Sequence, residues 1–104
     1  MEALEKSAMT KKVTPFNIAE HLETEADIQA FLNETAQQGN ASDFVHALGI
    51  AARAKGMSEV AKQAGVTRAS LYKSLADDGN PHFDTIFRVC NALGVQLVTQ
   101  PIHA

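Results

Sequence analysis

Side chains suited to contacting DNA recur within one short segment of the chain. Arg68 carries a guanidinium that can pair in two ways with guanine or hold a phosphate, and Lys73 carries an amine suited to phosphate. Tyr72 can pack against a thymine methyl or a sugar edge, or lie partly buried against the preceding helix. Ala69 and Ser70 are small enough to let a helix enter a major groove. The segment therefore predicts a recognition helix for double-stranded DNA.

The residues just before this segment have the spacing that a helix–turn–helix requires. Two helices that cross closely need a small residue at the crossing, which Ala61 supplies, and four positions later Gly65 can adopt the positive φ of the turn. Val66 is expected to fill the gap beneath the turn, and Leu71 to pack back on Val60. A tight helical hairpin with a purely structural role is the alternative reading.

Further polar residues flank the predicted turn. Ser58 and Thr67 are expected to cap the two helices, whose exposed N-termini would favour phosphate. Lys62 is expected to contact phosphate. For Arg53 and Lys55, simple exposure to solvent without a contact to DNA is the alternative.

Helix-start and helix-stop residues divide the chain into short helices. Thr24 and Asp27, three residues apart, are typical of a capping box, and Gly39 supplies a stop. Ser42 is expected to cap the helix that follows. The predicted elements are a short helix over 16–22, helices over 24–39, 42–56, 58–64, 67–76 and 83–93, and a short strand over 95–99.

The last predicted helix should bury one face. Its lone cysteine, Cys90, cannot form an internal disulfide and fits a buried thiol in a reducing cytoplasm. No apolar run of signal-peptide or membrane-span length occurs, so a cytoplasmic protein is expected. The residues expected on the buried face are Phe83, Ile86, Phe87, Cys90 and Leu93.

Charge is unevenly distributed. The 104 residues carry a net charge of −3, but 15–50 holds six acidic residues and no Lys or Arg, whereas 51–75 holds five basic residues against Glu59 alone. The basic window coincides with the predicted turn, which favours a local DNA-binding face. No nucleophile motif, Gly-rich phosphate loop or metal-ligand spacing is present, so we expect no enzyme, no cofactor and no metal site.

In order along the chain, these motifs resemble the lambda-repressor/Cro family. The resemblance rests on the turn motif, on Gly79-Asn80-Pro81 and on Ala92-Leu93-Gly94-Val95. It implies an all-α protein: a five-helix DNA-binding domain over 40–95, preceded by an N-terminal helical extension. Helix 58–64 would cross the DNA backbone, helix 67–76 would read the groove, and the loop at Gly79 and Asn80 would approach phosphate. Ser74 departs from the family's usual apolar residue, with Leu75 taking the buried role.

A narrower resemblance is to the addiction-module antidote proteins, antitoxins of the host-inhibition-of-growth type. The segments that carry it are 16–22, 24–34 and 71–76 with the turn at 79–81. It implies an antitoxin that neutralises a RelE-like ribonuclease toxin and, as a homodimer on a palindromic operator, represses its own operon. The alternatives are a stand-alone prophage-type repressor without a toxin, and a protein-interaction module that no longer binds DNA.

The acidic window suggests where a toxin would bind. A ribonuclease must bind RNA, so its active face is expected to be basic and would attract Glu20, Glu23, Glu25 and Asp27. The alternative is that these acids only keep a surface helix soluble. The expected organisation is a flexible segment over 1–14, an acidic helical extension over 15–39 and a helix–turn–helix domain over 40–104.

Overall fold

Six helices make up the secondary structure of residues 15–102, the part of the chain that this computed structural model describes. They are α1 (Pro15–Glu20), α2 (Glu25–Gln37), α3 (Ala41–Lys55), α4 (Met57–Ala64), α5 (Arg68–Ser74) and α6 (Phe83–Ala92). The expected all-α class is confirmed. The predicted flexible segment 1–14 lies outside the described residues.

Local capping explains where several helices begin. Thr24 and Asp27 form the predicted capping box, in which the Asp27 backbone N–H donates to Thr24 Oγ1 at 3.1 Å and Asp27 Oδ2 accepts from the Thr24 backbone N–H at 3.1 Å. Thr67 caps α5 as predicted, since its Oγ1 accepts from the Ser70 N–H at 3.0 Å.

Two predicted caps are wrong. Asn40, not Ser42, caps α3, because its Oδ1 accepts from the Asp43 N–H and the helix begins one residue before the serine. Ser58 does not cap α4, which begins at Met57 directly after Gly56, without a side-chain cap. Gly56 adopts a φ of +118° between α3 and α4, and Met57 is already buried in the core, so the helix starts earlier than the serine suggests.

The helices surround one apolar core. α3 lies at its centre and contacts α1, α2, α4 and α6, while α4 also packs on α5 and α6. Ile28 and Leu32 extend the core into α2, so the acidic extension is packed on the rest of the described chain. The fully buried side chains that anchor the core are Leu48, Val60, Leu71, Val89, Cys90 and Leu93.

Three further expectations differ from the structure. Residues 40–95 contain four helices instead of about five, because 75–82 forms turns and loop between α5 and α6. In the described part of the chain 95–99 is not a strand, since no neighbouring strand pairs with it. Phe83 and Phe87 are 68% and 45% exposed, so the buried stripe of α6 is narrower than its apolar pattern predicts.

Candidate nucleic-acid interface

A sharp turn at Gly65 joins α4 to α5. Gly65 has φ +76° and ψ +28°, the left-handed conformation that glycine adopts without a Cβ penalty, as predicted. The Val66 N–H donates to the Ala61 carbonyl at 3.0 Å, and the Gly65 N–H donates to the Lys62 carbonyl at 3.2 Å. These bonds satisfy two of the last four carbonyls of α4 and fix the direction in which α5 leaves it.

The inner faces of α4 and α5 pack in one cluster. Ala61 is 3% exposed, and Val60 and Leu71 are fully buried, as the sequence predicts. Val66 is partly buried against the same cluster. Leu75, 5% exposed, takes the buried role that Ser74 does not. The opposite face of α5 is therefore turned outward by packing.

That outward face carries the predicted DNA-contacting side chains. Ala69, Ser70 and Lys73 are exposed, and Tyr72 is 39% exposed. The Arg68 guanidinium carbon lies 5.4 Å from the centroid of the Tyr72 ring, and Arg68 Nη2 is 3.4 Å from the Tyr72 hydroxyl. The aromatic ring thus orients the guanidinium along the exposed face of α5.

Ser58 and Lys62 lie on the exposed side of α4, one helical turn apart. The neighbouring pair of Glu59 and Gln63 is also exposed and hydrogen-bonded at 2.6 Å. The predicted polar residues of α4 are therefore accessible, although Ser58 stands there without a capping role.

The loop between α5 and α6 lies beside the recognition-helix candidate. Lys73, Gly79 and Asn80 line the same open cleft of about 410 Å³. A Cβ on Gly79 would meet the Ser74 carbonyl oxygen and lie 2.7 Å from that of Lys73. Gly79 is thus required for close packing against the end of α5, a role that sequence reasoning missed, while Asn80 remains exposed at the rim.

Arg88 is a second residue that sequence reasoning missed. Its Nη1 donates to the Ala64 carbonyl at 3.2 Å, and its Nη2 pairs with Asp84 one turn earlier on α6. The guanidinium therefore binds the C-terminal end of α4, next to the Gly65 turn. The i, i+4 spacing of Asp84 and Arg88 could have indicated their pairing, but no local signal indicates the contact with Ala64, 24 residues away.

Two of the four predicted toxin-binding acids are engaged within the chain. Glu25 Oε2 lies 3.5 Å from Lys55 Nζ, which in turn donates to the Ala92 carbonyl at 2.7 Å. Asp27 holds the capping box, and the backbone N–H groups of Glu23 and Thr24 lower the pKa of its carboxyl. Lys55, expected to be only solvated, instead links α2, α3 and α6.

Glu20 and Glu23 are exposed, at the end of α1 and in the loop before α2. Their carboxylates are not in the ion pairs of the described residues. Within residues 15–102, Glu20 and Glu23 are thus the two of the four acids that have neither an ion pair nor a capping role.

Within 15–102, no three His, Cys, Asp or Glu side chains are grouped so as to hold a metal ion. Burial raises the pKa of the Cys90 thiol to about 11, which keeps it protonated. None of the described helices has the length and apolar character needed to cross a membrane.

Comparison with known proteins gives two matches. A family model described as "Probable addiction module antidote protein" matches residues 12–101. An uncharacterized protein of Haemophilus influenzae is 45% identical over 92 residues, which cover 88% of this chain and 95% of that protein. No solved structure matches the chain.

Proposed function

The chain belongs to the family of probable addiction module antidote proteins, and on that premise we propose that it is the antitoxin of a two-gene toxin–antitoxin module. In this proposal it is a cytoplasmic, non-enzymatic protein that binds and neutralises a small RelE-like ribonuclease toxin. As a homodimer it also represses the operon that encodes both proteins.

The observation that carries the DNA-binding half is the outward face of α5 after the Gly65 turn. Arg68 is held over Tyr72, 5.4 Å from its ring centroid, and Lys73 is exposed one turn after Ala69. In the proposed complex α5 enters the major groove, Arg68 contacts a base, and Lys62 and Lys73 contact phosphates. Further contacts to the DNA backbone are made by Ser58 in the exposed first turn of α4, by the Thr67 cap, and by Asn80 beside Gly79.

The short length of α5, the proposed DNA-recognition helix, supports a two-fold dimer. α5 has only seven residues, so one copy can read only a few base pairs. Two copies would read a palindrome whose half-sites lie about one helical turn, roughly 34 Å, apart. In this organisation 40–104 is the DNA-binding domain and 15–39 is the extension that faces the toxin.

For the toxin-facing half, Glu20 and Glu23 are the leading residues. Both are exposed, whereas Glu25 and Asp27 have partners within the chain. Both lie in the segment 15–50, which has no Lys or Arg. Its negative charge would attract the basic, RNA-binding face of a ribonuclease, and the bound chain would then cover that face. Glu25, whose charge is offset by Lys55, is expected to contribute less than Glu20 and Glu23.

The first test is growth of cells that express the small open reading frame beside this gene, with and without this chain. The antitoxin assignment requires that the neighbour alone arrests growth and that co-expression restores it. If the neighbour is harmless while the chain still binds its promoter DNA, the stand-alone repressor replaces the antitoxin.

A second test separates the two surfaces. The variant carrying Glu20→Lys and Glu23→Lys should bind the toxin more weakly while retaining operator affinity, as measured by fluorescence anisotropy with labelled DNA. Glu34→Lys, an exposed position near the end of α2, is the matched control. Toxin affinity equal to that of the wild type in the double variant would exclude this surface.

A further inference from the structure

Two exposed phenylalanines, Phe83 and Phe87, lie side by side on α6. Phe83 is 68% and Phe87 45% exposed, and their ring centroids are 6.2 Å apart. Both rings are left out of the core that Val89, Cys90 and Leu93 enter from the same helix. Neighbouring apolar side chains that stay exposed to water are typical of surfaces that bind another molecule.

We propose that this face of α6, formed by Phe83, Asp84, Phe87 and Arg88, is the surface on which a second copy of the chain docks. The proposal rests on the homodimer of the proposed function and names the surface that forms it. The two α6 helices lie antiparallel across a two-fold axis, so that Phe83 of each copy packs on Phe87 of the other.

Self-complementary charge favours a second copy over another partner. Asp84 and Arg88 each follow one of the two phenylalanines, so both flank the rings on the same side of α6. The two-fold axis is perpendicular to the plane that contains the two antiparallel helices. Rotation about it leaves the side that carries Asp84 and Arg88 facing the same way in both copies. Measured along the helix axis, Asp84 of one copy then lies about 3 Å, a two-residue rise, from the level of Arg88 of the other. The Asp84–Arg88 pair within each copy would therefore lie beside that of the other copy with opposite charges facing each other.

Helix α6 also contacts the α4–α5 turn, which positions the outward face of α5. Arg88 donates to the Ala64 carbonyl at the end of α4, and Thr85 lines the cleft shared with Lys73 of α5. In a dimer formed through α6, the contact between the two α6 helices therefore also fixes the positions of α4 and α5 in each copy. It sets the distance between the two α5 helices, which are the proposed DNA-recognition helices.

Sedimentation velocity over a concentration series tests this surface in the full chain. Phe87→Glu and, separately, Phe83→Glu should raise the dimer dissociation constant by about tenfold or more, because each substitution removes two ring contacts across the axis. Val98→Glu is the matched control, since Val98 is also 73% exposed but lies on the C-terminal segment. Circular dichroism confirms that each variant is folded.

A charge exchange gives a sharper readout. D84R and R88E should each be monomeric alone, because every cross-axis pair then joins like charges. An equimolar mixture should form a heterodimer in which both cross-axis pairs are opposite in sign, and this recovery cannot arise from a folding defect.

The outcomes are distinguishable from failure of the antitoxin assignment. A wild-type chain that is monomeric throughout, a dimer lost with Val98→Glu but kept with Phe87→Glu, or no heterodimer in the mixture would each overturn the surface. Phe variants that stay dimeric but lose toxin binding would assign the face to the toxin and also overturn it. Toxin neutralisation in cells tests the antitoxin assignment separately from all of these results.

Discussion

The Arg68 guanidinium lies over the ring of Tyr72, one turn further along α5, with 5.4 Å between its central carbon and the ring centroid. Both side chains are exposed, so the contact orients a charged group at the surface instead of burying it. The guanidinium is therefore already partly ordered in the free protein, which reduces the entropy cost of binding DNA.

Arg68→Ala is expected to reduce the preference for operator over random DNA by about 1–3 kcal/mol, because a guanidinium that reads guanine is lost. Lys73→Ala should instead weaken binding to all sequences and flatten its salt dependence, as expected for a phosphate contact. Anisotropy titrations at several salt concentrations distinguish the two. An unchanged ratio of specific to random binding in Arg68→Ala would show that Arg68 is not a base reader.

Gly79→Ala should lower the free energy of unfolding by about 1–3 kcal/mol, since its Cβ would press on the Lys73 and Ser74 carbonyls. Urea denaturation measures the loss. Asn80→Ala, at the neighbouring exposed position, is the control, and its free energy of unfolding should equal that of the wild type. Its affinity for DNA should fall, because Asn80 is proposed to contact a phosphate. Equal stability of the wild type and Gly79→Ala would contradict the close packing of this loop on α5.

Removal of the Asp27 carboxylate should destabilise the chain in a pH-dependent manner. Backbone donors at Glu23 and Thr24 lower its pKa below the ordinary 3.8, so its stabilising contribution is present above that pH and lost as the pH falls through the folded-state pKa. The difference in Tm between the wild type and Asp27→Ala should therefore be larger at pH 7 than at pH 2. Glu34→Ala, on the same helix but outside its first turn, is the comparison, and a difference independent of pH for Asp27→Ala would argue against the cap.

Cys90 should be inert toward thiol reagents in the folded protein. Its side chain is 1% exposed, and burial raises its pKa to about 11, so little thiolate exists at pH 8. Because the chain has one cysteine, a colorimetric disulfide reagent reports on it alone. We expect negligible reaction in buffer and one equivalent in urea; rapid reaction of the native protein would show that α6 opens readily.

Local signals in the sequence predicted the features that depend on neighbouring residues. The capping box of Thr24 and Asp27, the Thr67 cap and the positive φ of Gly65 each involve residues at most a few positions apart. The start of α4 could not be predicted in this way, because it is set by the burial of Met57 in a core assembled from distant helices.

Long-range contacts account for most of what the sequence did not indicate about the site. Lys55 reaches Ala92 across 37 residues, and Arg88 reaches Ala64 across 24. The apolar period of α6 correctly placed Cys90 and Leu93 in the core. It could not distinguish them from Phe83 and Phe87, because the width of the buried stripe depends on how closely the other helices approach α6.

Tyr72 also has an optical consequence. The chain contains one tyrosine and no tryptophan, so its ultraviolet emission arises almost wholly from a single ring on the outward face of α5. Access of acrylamide to that ring monitors this face in the unlabelled protein. A ligand on the α5 face shields the fluorophore, whereas one held only by α1 and the α1–α2 loop leaves it open, so the two proposed partners become spectroscopically separable in one cuvette.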